Sequence, residues 1–481
     1  MDNSWIRQNV ALKEAHAELL TLTATRNQSM RATWLDPVSG RQELVIVEVC
    51  QERFPSLTSV LPEVAWDERE IHDVFGYVPE GHPNPRPLLR TPRWPENFRP
   101  LRERPDVRPT WQDADPDNPA LTVEGNGVTV MKVGPTHAGI IESGHFVFSL
   151  MGENVLHLDT HLFQNHRGVE SLLESQTVDG VASIVTRICA ADTVSHQTNW
   201  ALAVEALSGY EAEAAVSLGR VVLLESERVL SHLNDLAQIP AGVGFQVAHQ
   251  QALAMKEDWQ RGLQGMYGHR FLFDTVRPGW VAPPDPENLL RLVYALRRAW
   301  TPWQHLVEGH HGFNDRMADV GVTTHADVVR FGGQGVVSRA AGKGFDARTL
   351  LPLYQDLRPV PVVESGGDVR ARFNVRVREV EASLRLIEDA AARLRRETAA
   401  GDIPWSPQDG HSGQVAVYTE SPHGLNVHDV TMDNGRVVRY HIRAATYRNW
   451  PLLAHAVPGN AVADFPLINK SFELCYSCAD R

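Results

Sequence analysis

Residues 218–236 read LGRVVLLESERVLSHLNDL. Leu218, Val221, Val222, Val229, Leu230, Leu233 and Leu236 recur at the 3.6-residue period of an α-helix, so one face is apolar over about five turns. The helical reading extends over 197–237, and residues 245–268, 286–307 and 370–398 carry further helical patterns that can cover such a face. Strand patterns flank these helices. VTVMKVG, HFVFSLMG and NVLHLDTHL precede them; VAVYTE and VHDVTMDNGRVVRYHIRA follow residue 410, with a hairpin turn at Asn434-Gly435. Residues 125–481 are therefore expected to form a helical bundle with small β elements. Residues 1–112 read as a separate, small α/β domain. Helical spacing runs over 12–24, and a hairpin runs from Arg31 to Cys50 around a turn at 37–40. The segment Pro79 to Pro109 is too proline-rich for a helix or a central strand and is expected to wrap a neighbour. Residues 113–124, acidic and proline-containing, are expected to link the two domains, giving an α+β chain.

Composition narrows the setting. The 481 residues carry a net charge of -13, which excludes the basic footprint of a nucleic-acid binder. Four cysteines in a chain this long point to a reducing, cytosolic compartment. The first twenty residues lack the basic start and apolar core of a signal peptide, and no apolar run has the length of a membrane span. The expectation is a soluble chain able to dock on membrane subunits.

Two cysteine sites stand almost a chain apart. Cys189 is followed by Asp192 at the C-x-x-C spacing and then by His196; Cys475 and Cys478 form a true C-x-x-C near the end. Such a step lets two sulfurs converge on one metal, so the sites together offer three thiolates and one carboxylate. Thiolates select iron, zinc, nickel or copper(I), while a carboxylate suits harder ions. Asp192 reads as a ligand, as a hydrogen-bond acceptor beside the ligands, or as the N-cap of a helix over 193–210. His196 reads as a donor to a ligand sulfur or as an ordinary first-turn histidine. Cys50 ends a strand-like run and reads as core.

Several motifs carry a family resemblance. Trp66-Asp67-Glu68-Arg69-Glu70-Ile71-His72-Asp73-Val74-Phe75-Gly76, Gly81-His82-Pro83 and Arg99-Pro100-Leu101-Arg102 resemble the 30 kDa subunit of respiratory complex I. Gly134-Pro135-Thr136-His137, Gly144-His145-Phe146, Gly152-Glu153 and His166-Arg167-Gly168-Val169-Glu170 resemble the opening of the 49 kDa subunit. Arg443-Ala444-Ala445-Thr446-Tyr447, Asn449-Trp450-Pro451 and Pro466-Leu467-Ile468 ahead of Cys475 are similar to the hydrogenase branch. Jointly they resemble the large subunit of membrane-bound, energy-converting [NiFe]-hydrogenases of the formate-hydrogenlyase type, over nearly the whole chain. The resemblance implies an oxidoreductase subunit whose metal ligands fall at Cys189, Asp192, Cys475 and Cys478. It implies a [4Fe–4S] small subunit of the complex I 20 kDa type as partner, and membrane subunits similar to the proton-channel and antiporter-like subunits. It also implies a peripheral place on the cytoplasmic face of the membrane, and electron transfer coupled to ion translocation.

Departures from the pattern cluster at the same site. The bridging cysteine is replaced by Asp192, an arginine by His423, an Asp-Pro pair by Glu473-Leu474, and an arginine after Gly-His-Phe by Val147. The implied nickel–iron site is thus degenerate, with zinc, another single metal or no metal as the alternatives, and standard hydrogen chemistry is not expected. His423 reads as a proton carrier or as a space-filler. Glu170 is the candidate proton-handling carboxylate, from its His-Arg-Gly-x-Glu context. His137 matches the quinone-site histidine of complex I, while the quinone-site tyrosine would fall near Ala190. In similar proteins an extension past the final motif is cut off after nickel insertion. The end at Arg481 therefore reads as a processed form or as a gene that encodes no extension.

Other features are read as ordinary structure. Gly332-Gly333-Gln334-Gly335 follows no clear strand, and Gly342-Lys343-Gly344 lacks phosphate-loop spacing. His310-His311 read as exposed loop. Glu225, Glu227 and His232 read as the polar face of the long helix.

Overall fold

The computed structural model describes residues 4–103, 109–114, 118–137, 142–396 and 411–481. Parts of the proline-rich segment and of the expected linker lie outside the described residues. The N-terminal unit begins with a helix, Ser4–Glu14, followed by a three-stranded antiparallel sheet, Glu18–Ala24, Ser29–Leu35 and Gln42–Glu48, in sequential order. The single helical pattern expected over 12–24 is corrected here: the helix stops at Glu14, and His16 adopts φ 62°. Every residue of Glu18–Ala24 is buried, so this strand is covered on both faces. Leu19, Leu20 and Leu22 then read as a run and not as an alternation, and blend into the helical spacing upstream. Cys50, expected in the core, is exposed beside the strand end.

The acidic residues of the 66–76 motif each hold a different piece of chain. Asp67 pairs bidentately with Arg443 of the large domain at 2.7 and 2.8 Å. Glu68 accepts from the Ser56 and Thr58 hydroxyls and from Leu57 N–H. Glu70 pairs with Arg481 at 2.5 Å. Asp73 accepts the N–H groups of Leu88, Leu89 and Arg90, fixing the start of the proline-rich segment. The helix Ala65–Phe75 ends at Gly76 with φ 78°, where a Cβ would meet Arg99 Nε at 2.8 Å. Two of the four acids therefore bind across the domain boundary. Arg86–Asp159 ties the proline-rich segment to the large domain as well, at 2.9 and 3.0 Å. Residues of the expected linker are also engaged: Leu121 N–H donates to Asp159 and Val123 N–H to Ser149.

The large domain is built around helices. The stretch 197–237 is two helices, Thr193–Ser208 and Ala214–Ala241, separated at Gly209 with φ 66°. The Ala214–Ala241 helix packs against Val369–Leu394 and Gln246–Tyr267, and the latter against Pro286–Glu308. Two antiparallel three-stranded sheets flank the bundle: Val128–Val133, His145–Met151 and Asn154–His161; and Gly413–Ser421, Gly424–Asp433 and Arg436–Arg443. The hairpin at Asn434-Gly435 is present, with φ 48° and 74°.

The polar residues of the central helix do not face solvent. Glu225, Glu227 and His232 are 0–2% exposed, because neighbouring elements cover this helix almost all round. Arg348 pairs with Glu225 at 3.1 Å and with Asp346 at 2.7 Å. Arg339 pairs with Glu379 and Glu420, both at 2.7 Å. His232 meets Glu379 at 2.8 Å, and Arg228 lies 3.6 Å from both Glu225 and Glu379. Buried charge survives only when paired, and three of these pairs, Arg348–Glu225, His232–Glu379 and Arg228–Glu379, join segments more than a hundred residues apart. His310 and His311 are exposed, as expected, and His310 caps a short helix by accepting from Phe313 N–H.

Candidate metal centre

The first cysteine arm leaves the helix Val178–Val185, passes Cys189 and enters the helix Thr193–Ser208 at Asp192. The second arm runs through Cys475 into the short helix Tyr476–Asp480. Arg167 joins them. Its guanidinium donates to the carbonyls of Ile188 at 2.7 Å and Ser477 at 3.1 Å, which adjoin Cys189 and Cys478. The tail is held further by the Asp480 carboxylate, which accepts Phe163 and Asn165 N–H. Arg481 binds Glu70, Glu170 and the Ile442 carbonyl. The second site is thus no frayed end: Cys478 is 0% exposed and Arg481 1%.

This scaffold brings the three sulfurs together. Cys189 Sγ lies 3.1 Å from Cys475 Sγ, and the three thiol sulfurs all lie within 4.8 Å of one another. Hydrogen bonds from Cys189 and Cys478 hold the Cys475 thiol well below its usual pKa. The same hydrogen bond to Cys475 raises Cys189, and burial raises Cys478. The three sulfurs form a candidate metal site, in which the Cys189–Cys475 distance of 3.1 Å is shorter than the roughly 3.5–4.5 Å expected for two sulfurs on one zinc-type ion.

Asp192 stands beside the sulfurs and is shared between His423 and one of them. Its carboxylate takes His423 Nδ1 at 2.9 and 3.1 Å, with Cys478 Sγ at 3.4 Å. Burial opposes both charges, yet the pair wins: Asp192 is lowered and His423 is raised to about 9. Asp192 makes no side-chain cap to its helix. That role goes to Glu227, which accepts Val194 and Ser195 N–H at 2.6 and 3.1 Å. The His423 carbonyl is crowded by Gly335, where any Cβ would collide with it, so the Gly-Gly-Gln-Gly run serves a close backbone approach.

His196 does not reach a sulfur. Its Nδ1 meets His428 Nε2 at 2.9 Å and Asn426 Nδ2 at 3.2 Å, while its buried Nε2 has no partner. Burial lowers its pKa to about 4. A donor set of three thiols, a carboxylate committed to an imidazole and an orphaned ring nitrogen does not fit a nickel–iron pair bridged by thiolates. His137 hydrogen-bonds Gly144 O at 2.7 Å and is not among the converging donors. Glu170 lies in a second cluster with Glu70 and His441. Burial would raise its pKa, but Arg439, His441 and Arg481 hold it well below the usual range. A guanidinium already bridges Glu70 and Glu170, so Glu170 acts here as an anchor for the tail. Arg167, Glu227 and His428 are the contributors that sequence reasoning missed. Arg167 was signalled by its His-Arg-Gly-Val-Glu motif; the other two carried no local signal.

Comparison with known proteins agrees with this architecture. The family model of the respiratory-chain NADH dehydrogenase 49 kDa subunit matches residues 243–410 and 406–481, and that of the 30 kDa subunit matches 12–110. The chain is 30% identical to formate hydrogenlyase subunit 5 of Escherichia coli (strain K12), covering 91% of this chain and 78% of that protein. It is 32% identical to hydrogenase-4 component G of the same organism, covering 91% and 77%. It is 28% identical to the membrane-bound hydrogenase subunit alpha of Pyrococcus furiosus, covering 72% and 86%. Its fold is shared by a chain of the membrane-bound sulfane sulfur reductase, an archaeal respiratory membrane complex, with TM-score 0.68 and 23% identity, covering 74% of this chain and 99% of that one. No helix among the described residues is long and apolar enough to cross a membrane. The chain belongs to the family of complex I-related hydrogenase large subunits in which a 30 kDa-type and a 49 kDa-type unit share one polypeptide.

Proposed function

We propose that this chain is the site-bearing large subunit of a membrane-associated, complex I-related redox assembly, and that Cys189, Cys475 and Cys478 hold one thiophilic ion in place of a nickel–iron pair. The observation that carries this reading is the Asp192–His423 ion pair at 2.9 Å, which commits the fourth donor to an imidazole, with only Cys478 Sγ beside it, and leaves three sulfurs as the converging set. A bound ion of this kind supplies Lewis-acid polarisation to whatever reaches it. The protein's own part is to bind and orient. Arg167 sets the separation of the two arms, and Glu227 seats the helix that carries Asp192. His423 fills the arginine's place with a ring that presents two nitrogens where a guanidinium presents five N–H donors. The family and the membrane-bound relatives support a [4Fe–4S] small subunit and membrane subunits as partners, on the cytoplasmic face, with electron transfer coupled to ion movement.

Elemental analysis of the purified complex, together with a hydrogen-uptake assay, tests this. One zinc-type or other single ion per chain without hydrogen activity is expected. Stoichiometric nickel and iron, with hydrogen uptake lost on Cys475→Ala, would restore an active hydrogenase and overturn the reading.

A further inference from the structure

A cavity of about 530 Å³ opens between the proline-rich segment and the turn from strand Asn154–His161 into helix Val169–Leu173. Its lining is lopsided in charge. Among the described residues, Arg69, Arg86, Arg93 and Arg167 border it, against one carboxylate, Asp159. Asp159 is already committed to Arg86 and His161. The other three guanidiniums donate to backbone carbonyls: Arg69 to Arg86 and Pro87, Arg93 to Ala114, and Arg167 to Ile188 and Ser477. Among the described residues none of these three forms an ion pair. A guanidinium has five N–H donors, so each keeps donors to spare. Burial, then the neighbouring Arg86 charge, lowers the Arg69 pKa to about 10, and Asp73 and Asp159 offset only part of that shift. This excess stands in a chain of net charge -13. The other wall is aromatic. Trp94, Phe98 and Trp111 meet with centroids 5.8 to 6.4 Å apart, and Trp111 is 57% exposed.

We propose that this cavity binds a small ring-bearing anion of the nucleoside monophosphate class, its anionic group among Arg69, Arg93 and Arg167 and its ring against Trp111. Planar guanidiniums match phosphate oxygens in pairs, and an exposed indole offers a face for stacking. The volume lies within the range of small-molecule sites, which favour concave seams between domains. Arg167 also carries the carbonyls of both cysteine arms, so the occupant would rest against the support of the metal centre.

The test is a titration of the purified full chain with adenosine 5′-monophosphate, inorganic phosphate and adenosine, read by tryptophan fluorescence and calorimetry. The monophosphate should saturate, bind on the order of ten-fold more tightly than phosphate, and outbind adenosine by a larger factor. Arg93→Gln and Trp111→Ala change exposed residues, and each should weaken the monophosphate several-fold while circular dichroism and urea unfolding confirm that the variant is folded. Failure of the monophosphate to saturate would overturn the proposal. So would equal binding of adenosine, or unchanged affinity in both variants. Loss of binding in the assembled complex, with Arg93 cross-linked to a partner carboxylate, would assign these cations to an interface between subunits instead.

Discussion

Two polar clusters lie equally deep in this molecule and are finished differently. In the helix bundle, Arg228, Arg339 and Arg348 each stand within 3.6 Å of at least one of Glu225, Asp346, Glu379 and Glu420. In the cysteine pocket there is one ion pair, three thiols at close range and an orphaned imidazole nitrogen. Both also keep buried nitrogens without a hydrogen-bond partner, Arg228 Nε and His232 Nδ1 in the lattice and His196 Nε2 in the pocket; what differs is that the lattice is held by paired charges and the pocket by facing thiols. A cluster held by paired charges serves the fold. A cluster that leaves sulfurs facing one another can be completed by an ion, and its cost is carried by the surrounding scaffold. On the function proposed above, the acid–arginine lattice is the structural element and the thiol pocket the functional one.

The lattice should be the harder of the two to break. Arg339→Ala removes the arginine shared by the buried Glu379 and Glu420, leaving Glu420 without an ion-pair partner, and about 3–5 kcal/mol of stability should be lost in urea unfolding. A loss under about 1 kcal/mol would mean that the lattice does not hold the bundle. The domain seam tests the same principle outside the bundle. Arg443→Ala leaves Asp67 buried without its bidentate partner. It should cost about 3 kcal/mol and make limited proteolysis near residue 110 faster than in the wild type.

The pocket should respond to metal instead. Stripping the ion with a chelator should lower stability by about 2.7 kcal/mol at a free-ion level of 100 times Kd. Cys475→Ala should be insensitive to the chelator; an equal shift in both proteins would place the ion elsewhere. The smallest effect is expected at Arg167. Its substitution by Gln loosens the two arms without removing a sulfur, so metal affinity should fall roughly ten-fold while stability without the ion barely changes. Arg167→Lys should recover part of that affinity, because one carbonyl can still be held. An unchanged metal affinity in Arg167→Gln would show that the arms meet without this clamp.

Some of this was legible from the chain alone. The 3.6-residue stripe of 218–236 and the Asn434-Gly435 turn are local signals, set by residues a few positions apart, and both appear as expected. The meeting of Cys189 with Cys475 and Cys478 was legible through the C-x-x-C spacing joined to the family pattern. Other features lay beyond it. Strand Glu18–Ala24 passed for helix because both its faces are covered, which erases the alternation that marks a half-buried strand. Glu225, Glu227 and His232 passed for a solvated face because their partners lie far away in sequence. Asp192 could have been ligand, acceptor or cap until Glu227 was seen to hold the helix end and His423 to take the carboxylate. Residue order alone says which positions carry periodicity, thiols and charge. Which charges pair, and which donors are left over, was settled by the folded arrangement, because pairing depends on distances across more than a hundred residues that no local pattern encodes.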